Sequence, residues 1–369
     1  MANVCDDVLH NILARLPGKP LLRFRCVSKH WNGLISDPYF MKSRSRRMIL
    51  LKLTRSLVVV DDTEAVKLLH SPLEHEEEGT RVSMVGALNG IVLLALIYCK
   101  SLRYKLVLYN PLTCASKILV VMGPPSIPYP DRQNRPYVFG FGYGATKDDL
   151  KILRLENVSY PQPVGSHYCK YDVFDLKTCS WSKRRDLAIK SDFHNVPGTF
   201  LNGFLYWLTF SSRFGILALN VKDMVFSNIK LPDEIAHVQA TLLGSIGGCL
   251  CVTNKAKVGY NNRSFNLWLM KEEGSWMKAH SFTFSLETSY FFPTCILGYG
   301  QILLQSSSNQ FVIYDTSNES HKTINGLPTL KGIETLSDFD ITYMLYCFQD
   351  QCSIEYVESL VSPSDLCFN

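Results

Sequence analysis

The sequence contains no apolar run long enough to cross a bilayer. Its longest strongly apolar stretch, IVLLALIY (Ile91–Tyr98), is well short of the ~20 residues that a membrane helix needs. The opening residues, MANVCDDVLH, have two acids and lack the apolar segment of a secretory signal. These absences predict a protein without a membrane partner that is kept in the cytoplasm, the nucleus or both.

Paired cysteines are also missing. The 12 cysteines are scattered along the chain with no C-x-x-C spacing. Cys249 and Cys251 are the one close pair, and their spacing places both sulfurs on one face of a strand. Buried thiols are therefore expected, in place of a metal site or a disulfide framework.

Signatures of catalysis are absent as well. No G-x-S-x-G, H-E-x-x-H or Walker A motif occurs, and GFGYG (Gly140–Gly144) lacks the spacing of a dinucleotide-binding loop. EHEEEG (Glu74–Gly79) joins four acids to a histidine, but nothing nearby supplies further ligands, so a solvated loop is expected there. We predict no catalytic residues, no cofactor and no metal.

Acidic residues are scarce at the start of the chain. The first 55 residues hold eleven Lys or Arg and three Asp, a net charge of +8, whereas the whole chain carries +5. The remainder is therefore −3. A basic head suits nucleic acid or an acidic protein partner, and the negative body argues against nucleic acid.

The basic head has the pattern of three or four short helices. Asp6 and Asp7 can cap a first helix, in which Leu9, Ile12, Leu13 and Leu16 form one apolar stripe. Pro17-Gly18 ends it, and PLLRFRC, a helix capped by Ser28, and PYFMKSRSRR follow. So small a unit cannot bury all its apolar residues. They pack either on a partner or on the chain's own second domain, and the pattern leaves both open.

The body has the pattern of repeated β-hairpins. Six runs, from SLVVVDDTEAVKLL to QFVIYDTSNESHKTINGLP, each have an apolar strand, a polar turn and a second strand. Their spacing of about 45–65 residues is typical of a β-propeller. Asn89-Gly90 and Asn202-Gly203 are strong hairpin signals, and YMLYCFQ with CSIEYVESL is expected to complete the blade begun by MILLKL. The four tryptophans of the body are expected in its core.

The head resembles the F-box motif of plant F-box proteins. The matching markers are Leu9, Ile12, Leu13, Leu16, Pro17, Leu21–Phe24, Cys26–Lys29, Trp31, Leu34, Ile35, Asp37, Pro38 and Phe40. The resemblance implies binding to a Skp-type adaptor, which joins cullin and RING subunits in an SCF ubiquitin ligase. The implied adaptor-binding residues are Leu9, Ile12, Leu13, Leu16, Pro17, Leu21, Cys26, Val27 and Trp31.

The head departs from that pattern in two places. Val4-Cys5 replaces the opening Leu-Pro of the motif, which is expected to weaken the adaptor complex. The basic segment SRSRRMI replaces the usual His-Leu after the fourth helix. We interpret it as a solvated helix end, with a nuclear address or a phosphate-binding patch as the alternatives.

The body resembles the F-box-associated domain of plants, a kelch-like propeller, in FGFGYGATKDDLKILRL and YVESLVSP. The predicted fold is therefore multidomain α + β: an F-box at residues 1–47 and an all-β, six-bladed propeller at residues 48–369. The resemblance implies a non-catalytic substrate receptor of an SCF-type ubiquitin ligase, whose propeller binds the target protein. A propeller enzyme and a non-ligase scaffold are the alternatives.

The target itself is not identified by the sequence, but one loop is a candidate for reading it. GPPSIPYPDRQNRP (Gly123–Pro136) is rich in proline, which lowers the entropy cost of binding. It carries Tyr129, Arg132 and Arg135, residue types enriched at interface hot spots. We predict that these three residues contact the target, with a tolerated insertion as the alternative.

Overall fold

A computed structural model describes most of the chain. The described residues are 5–37, 40–41, 44, 46–53, 56–61, 66–69, 76–77, 80–98, 101, 103–122, 137–159, 167–187, 192–193, 196–210, 213–236, 240–256, 264–283, 291–306, 310–327 and 352–366. Within them, none of the helices combines the length and the apolarity that a bilayer span requires. The predicted loop with Tyr129, Arg132 and Arg135, the segment YMLYCFQ and most of the fourth head helix lie outside the described residues.

Three short helices of the head lie wholly within the described residues. They are α1 (Asp6–Arg15), α2 (Gly18–Phe24) and α3 (Lys29–Ser36). Asp6 and Asp7 lie in the first turn of α1, where carboxylates favour the positive end of the helix dipole. The predicted cap of α3 is confirmed, because the Ser28 hydroxyl accepts a hydrogen bond from the Trp31 amide at 3.1 Å. The second helix begins at Gly18, two residues before the proline that was expected near its start.

Strands make up nearly all of the rest, in six sheets among the described residues. Blades 1 to 3 contain β1 (Arg47–Leu53), β2 (Ser56–Val60), β3 (Val66–Leu69), β4 (Thr80–Leu88), β5 (Ile91–Tyr98), β6 (Arg103–Asn110), β7 (Ala115–Met122), β8 (Tyr137–Tyr143), β9 (Leu150–Ser159), β10 (His167–Asp175), β11 (Ser180–Trp181) and β12 (Arg185–Leu187). The last two short strands both pair with β10, so they share the outer edge of blade 3.

Blades 4 to 6 continue the same plan. They contain β13 (Asp192–Phe193), β14 (Thr199–Leu201), β15 (Phe204–Phe210), β16 (Phe214–Asn220), β17 (Val225–Lys230), β18 (Ala240–Ile246), β19 (Cys249–Lys255), β20 (Ser264–Glu272), β21 (Ser275–Thr283), β22 (Phe291–Leu297), β23 (Gln301–Ser306), β24 (Phe311–Asp315) and β25 (Ser320–Thr323). A short helix, α4 (Asp233–Ala236), joins blades 4 and 5. The last strand, β26 (Ser353–Val357), is followed by a 3₁₀ turn at Pro363–Leu366.

The ring closes between the two ends of the sheet sequence. β26 pairs antiparallel with β1 and becomes the inner strand of blade 1, which confirms the predicted role of CSIEYVESL. The inner strands β26, β4, β8, β14, β18 and β22 are then neighbours in a closed circle. One apolar cluster fills each of the six blade interfaces, so the core is a ring of side chains between sheets.

The two ends of the propeller differ in their connections. Five of the six inner strands, all but β26, turn back directly into the second strand of their blade. Two contacts join such turns in adjacent blades: the Asn89 amide donates to the Lys147 carbonyl at 3.3 Å, and the Asn202 amide donates to the Gly248 carbonyl at 3.3 Å. We call this end the hairpin face. Connections between the second and third strands of a blade, and between blades, lie at the opposite end, which we call the loop face.

The predicted Asn-Gly hairpins are confirmed on the hairpin face. Asn89 and Gly90 have φ of 52° and 77°, and Asn202 and Gly203 have φ of 50° and 84°. Two consecutive residues with positive φ match the twist of antiparallel strands, and asparagine followed by glycine tolerates that conformation best.

A second device recurs where the third strand of a blade ends on the hairpin face. Asn110, Asp175 and Asn220 each accept hydrogen bonds from two backbone amides of the following turn, and Asp315 accepts one. This is the Asx-turn that the repeated Asn or Asp of the sequence indicates. Blade 5 departs from the rule: β20 runs on to Glu272, and the turn continues with Glu273 and Gly274.

Candidate partner-binding site on the helical head

Helix α1 has apolar residues on two sides. Leu9 and Leu13 are buried, at 7% and 0% exposure, whereas Val8 and Ile12 are 51% and 52% exposed. Because residues four apart share a helix face, one pair forms an inward strip and the other an outward strip. The single stripe predicted from the sequence is therefore divided between two environments.

The inward strip helps to fix the head on the propeller. Leu13, Leu21 and Ile35 are fully buried in one cluster, which also includes Leu112 from the β6–β7 turn and the partly buried Leu360 after β26. Both propeller residues lie on the hairpin face. Of the two environments left open by the sequence, packing on the chain's own second domain is confirmed for these residues. The head's core is thus completed by the propeller.

A buried ion pair joins the same two parts. The Arg44 Nη2 atom donates to the Leu16 carbonyl at 2.5 Å and lies 3.5 Å from Glu358 Oε2, with the two charged side chains 1% and 6% exposed. Burial lowers the pKa of Arg44, and the Glu358 charge acts in the opposite direction. SRSRRMI was interpreted as a solvated helix end, with a nuclear address or a phosphate-binding patch as the alternatives. All of these are wrong for Arg44, because its side chain is buried and joins the head to the propeller through Glu358.

Near this ion pair, the backbone of the head at Gly18 lies very close to the propeller. At Gly18, an added Cβ would lie 2.8 Å from the Glu358 Oε1 atom and would overlap the Leu112 side chain. Any larger residue there would push the start of α2 away from the hairpin face. Glycine at this position therefore lets the head reach the propeller.

Asparagine 110 connects the same turn to the end of the ring. Its side-chain amide donates to the carbonyls of Ser359, at 3.0 Å, and Val361, at 2.8 Å. Asn110 is fully buried, and its oxygen already accepts from the turn. The residue therefore positions both Leu112 and the segment that carries Leu360.

The outward side of the head leaves apolar groups in solvent. Val27, in the turn between α2 and α3, is 59% exposed, close to the exposure of Val8 and Ile12 on α1. Of the nine residues predicted to bind the adaptor, Ile12, Pro17, Cys26 and Val27 are exposed, Leu16 and Trp31 are half-buried, and Leu9, Leu13 and Leu21 are buried. We call the exposed set Val8, Ile12, Pro17, Cys26 and Val27 the head surface.

Val8 was not predicted as a member of the head surface, although its position four residues before Ile12 places it on the same side of α1 and is a usable signal.

Local contacts hold α3 against the rest of the head. The Trp31 ring meets Phe24 edge-on at 5.4 Å, and His30 Nε2 lies 2.9 Å from Asp6 Oδ1, which joins the start of α3 to the start of α1. The head surface is thus carried by helices with fixed relative positions.

Basic side chains accompany the head surface. Arg15, Lys19, Arg23 and Lys29 are all exposed on the three helices and the turns between them. An apolar patch among cations favours a partner whose own apolar groove is surrounded by acids. A neutral partner would gain nothing from these charges.

Two motifs considered for ligand binding have their described residues in the scaffold. GFGYG forms the end of β8 and its turn, so a hairpin and not a phosphate loop is confirmed. The solvated loop expected of EHEEEG is wrong for Glu76, which is half-buried and accepts hydrogen bonds from Lys105 Nζ at 2.6 Å and from the Tyr98 hydroxyl. In the described part of the chain, no group of three His, Cys, Asp or Glu side chains has an arrangement that fits a metal ion.

The fold defines a two-part class of protein, in which a six-bladed propeller carries a small helical head. Residues 1–43 match the F-box domain, and residues 40–363 match the F-box associated beta propeller domain. The chain therefore belongs to the F-box proteins with an F-box-associated propeller, as the sequence resemblance predicted.

Arabidopsis thaliana has several similar proteins. F-box protein CPR1 is 26% identical, with 88% of this chain and 84% of CPR1 covered; F-box protein At5g49610 is 31% identical, with 62% and 65% covered. Among solved structures, TolB from Acinetobacter baumannii has a TM-score of 0.47 at 10% identity, covering 78% of this chain and 65% of TolB. That structural likeness is too low to bear on function.

Proposed function

We propose that this protein is the substrate-recognition subunit of an SCF-type E3 ubiquitin ligase. In this proposal the F-box, residues 1–47, binds a Skp-type adaptor and through it the cullin and RING subunits. The propeller, residues 48–369, binds the protein to be ubiquitinated. The receptor itself is non-catalytic, a role favoured by its family, and it acts in the cytoplasm, the nucleus or both.

One observation carries the adaptor half of the proposal. Val8, Ile12 and Val27 are more than half exposed on a head whose other apolar side is already used against the propeller. Apolar side chains left on one small module among cations are suited to docking on an acidic partner. The buried members of the predicted site, Leu9, Leu13 and Leu21, support that surface from beneath.

The target half follows from the geometry of the ring. The head occupies the hairpin face, where Leu112 and Leu360 meet it. Strand β7 ends at Met122 and strand β8 begins at Tyr137, both at the loop face. The sequence between them is the loop that contains Tyr129, Arg132 and Arg135. We propose that the target binds at the loop face, so that adaptor and target occupy opposite ends of the propeller.

The adaptor proposal is tested on the head surface. Ile12→Asp with Val27→Asp should weaken capture of a Skp-type adaptor by more than about thirtyfold, since hot-spot residues each contribute roughly 2 kcal/mol or more. Val225→Asp is the matched control, because Val225 is 60% exposed on the outer strand of blade 4. Full adaptor capture by the double variant would contradict the proposal.

The target proposal is tested separately. Replacing residues 123–136 with a Gly-Ser turn should leave adaptor capture intact and abolish target ubiquitination, because only the reading loop is removed. Normal ubiquitination by this variant would exclude the loop as the reading surface.

A further inference from the structure

A cavity of about 230 Å³ opens on the hairpin face between blades 4 and 5. Phe204 and Tyr206 contribute from β15, Cys249 from the start of β19, and Met270 with Glu272 from β20. The volume is below the roughly 300–1,000 Å³ of pockets for small-molecule ligands. It is the size of one long side chain inserted from a bound protein.

One polar group in the wall of the cavity is the hydroxyl of Tyr206. Tyr206 is only 8% exposed, and its hydroxyl makes no hydrogen bond with any of the described residues. Burial raises the pKa of Tyr206, and the negative charge of Glu273 adds to the effect. Because Tyr206 lines the cavity, its hydroxyl oxygen is free to accept a hydrogen bond from a ligand that carries donors.

The mouth of the cavity is acidic. Glu272 and Glu273 are exposed and form no ion pair with the described part of the chain, and Lys271 directly precedes them in sequence. The lining therefore carries a net charge of −1. In the other described turns of this kind the third strand ends on an Asn or Asp, whereas β20 of blade 5 runs on to Glu272, so this turn lacks the Asx residue and has two carboxylates just beyond its place.

The side walls suit a flat cation. The Phe204 and Tyr206 rings are stacked, with centroids 6.0 Å apart and planes 26° apart. A guanidinium group is planar, packs on aromatic faces and has five donors for carboxylate and hydroxyl oxygens. The apolar side chain of Met270 offers a surface for the methylene stem.

We propose that this cavity binds an arginine side chain presented by an exposed segment of a protein partner. The guanidinium stacks on the Phe204–Tyr206 pair, donates to the Tyr206 hydroxyl and meets the carboxylates of Glu272 and Glu273. The site shares the hairpin face with the head but lies on blades 4 and 5, away from blades 1 and 2. It does not rest on the ligase role.

The direct test uses the full chain with ¹³C-labelled methionine methyl groups and the probe peptide acetyl-Gly-Gly-Arg-Gly-Gly-amide. The Met270 methyl signal, assigned with Met270→Leu, should shift saturably, while Met48, buried between blades 1 and 2, should not. The citrulline peptide, which has the same shape without the charge, should bind at least about tenfold more weakly. No saturable shift at Met270, or equal binding of citrulline, would overturn the proposal.

Charge variants sharpen the result. Glu272→Gln with Glu273→Gln should weaken the arginine peptide by about tenfold or more, whereas Lys271→Gln should strengthen it. Glu234→Gln is the control, because this exposed glutamate lies in α4, near the loop face. Adaptor capture should be the same for every variant, which separates this site from the proposed ligase role. Unchanged peptide binding in the double glutamine variant would also overturn the proposal.

Discussion

The head and the propeller reach stability in different ways. Each propeller blade buries both faces against its neighbours, and pairing of β26 with β1 closes the ring. As far as its residues are described, the head has three complete short helices and one small cluster, which includes Leu112 and Leu360 from the propeller. The comparison indicates that the propeller folds on its own contacts, whereas the head depends on the hairpin face.

The largest expected effect comes from breaking the buried Arg44–Glu358 ion pair between the head and the propeller. Glu358→Ala leaves the Arg44 charge almost fully buried without its carboxylate, which should destabilise the docked head by about 3–5 kcal/mol. Hydrogen exchange should rise in α1–α3 and stay low in β4–β6. Equal protection of the head in the variant and the parent would show that the Arg44–Glu358 pair does not hold the head on the propeller.

A second prediction separates the two sides of α1. Leu13→Ala removes a fully buried side chain and should cost the head about 2–5 kcal/mol, whereas Ile12→Ala, at a position 52% exposed, should leave stability nearly unchanged. Adaptor capture should fall in both variants, since the first loosens the head and the second removes a contact. Hydrogen exchange and capture measured together distinguish them. Intact capture by Ile12→Ala would place the adaptor elsewhere.

The third prediction compares two Asx turns. Asn110→Asp puts a carboxylate against the carbonyls of Ser359 and Val361 and should cost about 1–3 kcal/mol. Asn220→Asp is the matched change in blade 4: the turn amides are still accepted, and the new carboxylate faces only the exposed Asp223 carboxylate, to which the Asn220 amide donates at 3.0 Å, so the cost should be smaller. Denaturant unfolding should separate the two variants clearly. Equal stability of the two variants would mean that Asn110 stabilises the protein only through the turn amides that its side-chain oxygen accepts, and not through the carbonyls of Ser359 and Val361.

The smallest expected effect concerns the exposed pair within the head. His30 and Asp6 are 55% and 61% exposed, so Asp6→Asn should change stability by less than about 1 kcal/mol. Adaptor capture should be retained within about twofold. A large loss of head protection would show that this surface contact, and not the propeller, holds α3 in place.

The sequence predicts the elements well because their signals are local. Asn89-Gly90 requires two residues at positive φ, and Ser28 caps α3 through a residue three positions on. The side of α1 that faces inward is not a local property. Leu13 is buried and Ile12 is exposed because Leu112 and Leu360 arrive from distant parts of the chain.

The same reasoning explains the misinterpreted basic segment and the missed cavity. Arg44 is surrounded by charges of its own sign in sequence, and its carboxylate partner, Glu358, lies at the far end of the chain. The cavity had one signal: an Asn or Asp recurs in the blade turns at positions 61, 110, 175, 220 and 315, whereas the run of blade 5 has Met270 at that place. A departure from a repeat is visible in the sequence, but whether a cavity lies beneath the altered turn depends on the side chains of the neighbouring blade.

The closing contact of the ring sets an order of events during synthesis. The head leaves the ribosome first, but Glu358, Leu360 and β26 are made about 300 residues later, roughly 15–60 s at ordinary translation rates. During that interval the inward strip of α1 has no propeller to cover it. A nascent chain therefore exposes Leu9 and Leu13 as well as the head surface, and a chaperone that holds apolar helices should be found on it until the last strand pairs with the first.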